Sequence, residues 1–225
     1  MKFPNAANGV KKIFTAEILS LIAAALIIVA AVMAFSVVGS VEGYEATKSN
    51  AAAAGALVSS AGLLIFGIGS LVLSLISFIL NIVGVARASR DESAFKIALY
   101  ALIAGLVFTG LSSAFENLSG PLSGAMSALA TVTELIVTLY VVQGIRLLAS
   151  RLNNREVDNK GQKLYMIIFV VLIIRLIANI LVAIFGGRFT TILALCIFMV
   201  STVLSLVQYI MYLIFLAKAK KMLSE

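Results

Sequence analysis

Six apolar stretches, each too long for a buried segment of a soluble domain, run one after another along this 225-residue chain, with nearly all the charge in the gaps between them. They cover about 13–38, 51–86, 94–115, 122–149, 164–185 and 189–216. A helix needs about 20 apolar residues to cross the roughly 30 Å hydrocarbon core of a bilayer, and every stretch reaches that length. Because lipid offers the backbone no hydrogen-bond partner, a run of this kind must be helical. The expected fold is therefore all-α: a polytopic integral membrane bundle of six transmembrane helices in three antiparallel hairpins. It forms a single transmembrane domain over 1–225.

Composition supports this. The chain is 62% hydrophobic and 12% charged, against about 45–50% and 25% in soluble proteins. The first stretch follows Lys2, Lys11 and Lys12, as a signal peptide would. Its length exceeds the 7–15 apolar residues of a signal core, and it reads as a span.

The positions of Lys and Arg give the orientation. Fourteen of the seventeen lie in the N-terminal segment, the second and fourth junctions and the C-terminal tail. Lys48 and Arg188 lie at the alternate junctions, and Arg175 lies inside a span. Basic residues collect on the cytoplasmic side, so both termini are expected inside. Short loops without a folded ectodomain point to a bacterial plasma membrane. The net charge of +7 forms no continuous patch, so no nucleic-acid partner is expected and the lipid bilayer is the natural one.

Enzyme chemistry finds little material here. Histidine is absent, and the one cysteine, Cys196, sits in an apolar run where it serves as a small hydrophobe. The usual zinc, copper and iron–sulfur ligand sets are missing. No phosphate-binding loop or catalytic triad is present. No catalytic residue, no metal site and no cofactor is expected. The acidic pairs Asp91/Glu92 and Glu156/Asp158 fall in inner junctions and read as solvated charge.

Two charges lie deep within spans, away from either end. Glu134 and Arg175 each lie roughly 15–18 Å from the outer end of their helix at 1.5 Å per residue, near the midplane. A central charge is costly, so the two would pair, as a structural clamp or as part of a polar site. Thr131, Glu134 and Thr138 share one face of span four, Arg175 and Asn179 one face of span five, and Ser201, Ser205, Gln208 and Tyr212 one face of span six. These stripes either line a polar cavity or join helices by hydrogen bonds.

Span two carries a small-residue face, Gly55, Gly62, Gly69, Ser70, Ser77 and Gly84, with Ser60, Gly67, Ser74 and Asn81 beside it. It suits close packing within the bundle, or docking of a protein partner or a second copy. The inner ends of spans two and four read alike, Gly84, Arg87 and Arg90 against Gly144, Arg146 and Arg151, as in a repeated hairpin. The leading expectation is non-enzymatic transport of a small solute or ion, or the membrane-embedded binding subunit of a transporter. The alternative is a membrane scaffold, assembly or immunity-type interaction protein.

Overall fold

The structure is a computed structural model. It describes the backbone over 2–47, 50–115, 120–184 and 188–224, and side chains over 2–37, 60–115, 122–174 and 204–224. Among the described residues there are six helices and no strand: α1 (Pro4–Thr47), α2 (Asn50–Ala88), α3 (Ala94–Phe115), α4 (Gly120–Arg151), α5 (Arg155–Ile184) and α6 (Arg188–Ser224). Most of the outer turns expected at 116–121 and 186–188 lie outside the described residues.

Among the described residues, four stretches, Pro4–Val37, Ser60–Ala88, Ala94–Phe115 and Leu122–Arg151, are long and apolar enough to cross a membrane. Their surfaces match that role. Phe35 is 79% exposed, Leu71 71% and Ile65 69%, and only 6% of the most apolar part of α1 is buried. Water would not tolerate so much exposed aliphatic surface, and a multi-pass membrane protein is consistent with it.

Several helices outrun the apolar stretches. α1 continues through the polar segment after residue 38, and α5 begins nine residues before its span, at Arg155. The junction expected as a long polar connection over 150–163 shrinks to residues 152–154, and two asparagines make this turn. Asn153 adopts a left-handed backbone, with φ 57°, its N–H bonds Ser150 O, and Asn154 N–H bonds Ala149 O. Those two hydrogen bonds close the C-terminus of α4, in a conformation asparagine tolerates better than most residues. Asn154 Oδ1 then accepts the Val157 N–H at 3.1 Å and caps α5. Glu156 and Asp158 in the first turn favour the same helix start.

The chain divides into two compact units, residues 1–14 with 82–225, and residues 15–81. In the first, the buried core gathers opposite ends of successive helices. It joins Val10 and Ile13 from the start of α1, Val85 and Ala88 from the end of α2, and Phe95 from the start of α3. Ile145 and Leu148 near the end of α4, Leu164 early in α5 and Leu216 late in α6 complete it. Odd helices enter this core by their first turns and even helices by their last, the pattern of an up-and-down arrangement.

The second unit is an antiparallel helix pair. Leu26 meets Gly69, Met33 meets Gly62, and the Ser77 hydroxyl donates to Ala16 O at 2.7 Å.

Candidate functional site

The small-residue face of α2 lies against α1. A Cβ on Gly62 would collide with the Met33 thioether, and one on Gly69 would touch Leu26 at 3.8 Å. Ser70 is buried and bonds Gly67 O of its own helix, while Ser77 crosses to Ala16. In the other unit, a Cβ on Gly84 would meet Ile13 Cγ1 at 2.8 Å and Gly9 O at 2.9 Å. Gly144 does the same for the next hairpin: a Cβ there would fall 2.6 Å from the Phe95 ring. In both hairpins a glycine late in the second helix receives the first helix. Gly55 lies outside the residues whose surroundings are described. The neighbouring row behaves differently. Gly67 has nothing within 4 Å of an added Cβ, and Ser74 is exposed.

The polar stripes are only partly drawn together. On α4, the Thr131 hydroxyl bonds Ser127 O and the Thr138 hydroxyl bonds Glu134 O, each one turn back on the same helix. Both are half-buried and Glu134 is exposed. The residue that turns inward is one the sequence pattern did not select, Thr133. It is buried, and its hydroxyl lies 2.7 Å from where Gly105 of α3 would carry a Cβ. On α6, Gln208 and Tyr212 are buried and Ser205 is half-buried, with Tyr212 in the apolar core. The side chains of Arg175, Asn179, Cys196 and Ser201 lie outside the described residues.

The ordered polar chemistry is instead at the gathered helix ends. Asp91 and Glu92 are not solvated charge. The Asp91 carboxylate accepts the Ala6 N–H at 2.7 Å and Asn5 Nδ2 at 2.9 Å, closing the first turn of α1. An acid at a helix N-terminus satisfies open N–H groups and complements the dipole. Glu92 is buried, and Arg151 Nη2 of α4 approaches its Oε2 to 2.7 Å. The approach is off the hydrogen-bond axis, so this contact is an ion pair and Oε2 has no hydrogen-bond donor among the described residues.

Two further links follow. Arg146 of α4 pairs with Asp158 of α5 at 3.1 Å, its stem passing over Gly161. Glu156 of α5 sits between Lys160 and Lys218 of α6. Hydrogen bonds from Lys160 and then Lys218 hold the Glu156 carboxyl down at about 2, and the bond to Glu156 raises Lys218 above its ordinary value. Ion contacts thus join the α2–α3 turn to α4, α4 to α5, and α5 to α6. Sequence carried one local signal for this, the i,i+4 spacing of Glu156 and Lys160; the other partners are distant in the chain.

Among the described residues no group of three or more His, Cys, Asp or Glu side chains is arranged to hold a metal ion. No family model, characterised protein or solved structure matches this chain.

Proposed function

We propose that this chain is a six-span, non-enzymatic membrane protein with both termini in the cytoplasm, and that it moves or binds a small polar solute or ion through α4, α5 and α6. The observation that carries the reading is the inward burial of Gln208 and Tyr212 on α6 and of Thr133 on α4, all 9% exposed or less. Apolar side chains on the same helices remain open, Leu206 at 63% for example. In lipid, inward polar groups are the usual lining of a solute path or the joints between helices. Arg175 would add the charge for an ion path, with Glu134 as its proposed partner. The fourteen basic residues at alternate junctions support the orientation, and the short loops favour a bacterial plasma membrane.

The test is flux. Purified protein reconstituted into liposomes is assayed against cations, anions and amino-acid-sized solutes. The reading expects one class to cross, and Gln208→Leu to reduce its rate about tenfold or more. Liposomes no leakier than protein-free controls to every class would overturn the transport reading.

A second reading, an interaction protein, is favoured by the middle of the neighbouring row on α2, where Gly67 has nothing within 4 Å of an added Cβ and Ser74 is exposed. It expects a protein to copurify at fixed ratio in mild detergent, and Gly67→Leu to release it.

A further inference from the structure

Three helices of the first unit each present the same exposed lane, a lysine at the gathered end followed at helical spacing by apolar side chains. On α3 the lane is Lys96, Tyr100, Ile103 and Val107; on α5 it is Lys163, Met166, Val170 and Ile173. On α6 it runs the other way along the chain, Lys221, Ala217, Ile214, Ile210 and Val207. Steps of three and four residues keep each set on one helix face. All these side chains are exposed, Tyr100 at 69% and Met166 at 59%. At 1.5 Å per residue the lanes are about 15–21 Å long, close to half of a roughly 30 Å hydrocarbon core.

Among the described residues the charges at the lane heads are not neutralised from within. The four described acids at the helix junctions of this end, Asp91, Glu92, Glu156 and Asp158, are committed to the α1 N-terminus, Arg151, Lys160 with Lys218, and Arg146. Lys96, Lys163 and Lys221 have no ion pair among the described residues. A cation capping an apolar strip one acyl chain long matches an anionic phospholipid, phosphate at the lysine and tail along the lane. We infer that these three lanes hold anionic phospholipids of the leaflet at the gathered end.

The inference rests on the membrane reading, but not on transport. A protein that moves no solute can still select lipid, so the two can fail separately.

The full chain is purified from mixed micelles containing equal phosphatidylglycerol and phosphatidylcholine, and the lipid retained per protein is counted by native mass spectrometry. A basic residue near an anionic surface contributes about a fivefold preference, so wild type retains phosphatidylglycerol over phosphatidylcholine by about that factor. The preference falls when salt is raised to about 1 M, where screening shortens to about 3 Å. The variant combining Lys96→Gln, Lys163→Gln and Lys221→Gln loses about half of the preference or more, and the matching Lys→Arg variant keeps it. Equal retention of the two lipids by wild type overturns the inference, as does an unchanged preference in the Gln variant. Should the triple Gln variant not fold, the three single variants and the wild-type salt titration decide by the same criteria.

Discussion

Glu92 and Arg151 give the account its most asymmetric prediction. The Glu92 side chain is 4% exposed and that of Arg151 is 53% exposed, with 2.7 Å between the charged atoms. Removing one partner of a buried pair typically costs about 3–5 kcal/mol, because the other charge is left behind without compensation. Here the two removals are unequal. Arg151→Gln strands a carboxylate inside the protein, though the half-open site admits water, so about 2 kcal/mol is the reasonable cost. Glu92→Gln leaves an arginine that water already reaches, at about 0–1 kcal/mol.

The double variant should lie within about 0.5 kcal/mol of Glu92→Gln, since nothing charged then remains buried. At about 2–4 °C per kcal/mol for a chain of this length, Arg151→Gln lowers the thermal midpoint by about 4–8 °C. The assay is thermal unfolding in one detergent for all four proteins. Equal losses in the two single variants, or a double variant whose loss is the sum of both, would refute the reasoning.

Gly144→Ala places a methyl against the Phe95 ring, which is fully buried, and should cost about 1–3 kcal/mol; Gly67→Ala, with open space, should be neutral or stabilising by up to about 1 kcal/mol. Thermal midpoints of the two variants test the contrast. The Glu156 carboxyl is lowered from 4.5 to about 2, so its contribution is complete above about pH 4.5 and lost as pH falls toward about 2. Wild type and Glu156→Gln should therefore differ in thermal midpoint at neutral pH and converge across that window. Exchanging the proposed midplane charges, Glu134→Arg with Arg175→Glu, should restore folded yield lost in either single variant, and normal yield in both single variants would remove the pairing.

What the sequence could announce was set by local chemistry. The bounds of α3 match its apolar stretch because charged residues lie just before it and a polar turn follows it. The ends of α1 and α5 were less legible, because a helix continues past its apolar run wherever capping and i,i+4 pairs support it. Asn153 and Asn154 do this at one junction within three residues. Most of the polar links at the gathered ends were illegible for another reason. Asp91 reaches Asn5 and Glu92 reaches Arg151 across long stretches of chain, and no periodicity records such partners. Thr133 escaped notice because the charge of Glu134 beside it drew the stripe onto the adjacent face, whereas Gly105 allows the hydroxyl of Thr133 to pack inward.

In the proposed topology successive helices cross a membrane in alternation, with the gathered, basic ends on the cytoplasmic side. Site-directed labelling tests it most directly. In a Cys196→Ala background, single cysteines are placed by Ser89→Cys, Asn154→Cys and Ser224→Cys at the gathered end, and by Ser49→Cys, Ser119→Cys and Gly187→Cys in the junctions expected on the outer side. Intact cells are treated with a membrane-impermeant maleimide. The proposed topology gives labelling at 49, 119 and 187 from outside, and at 89, 154 and 224 only after the membrane is opened. Outside labelling at 89, 154 or 224 would contradict it.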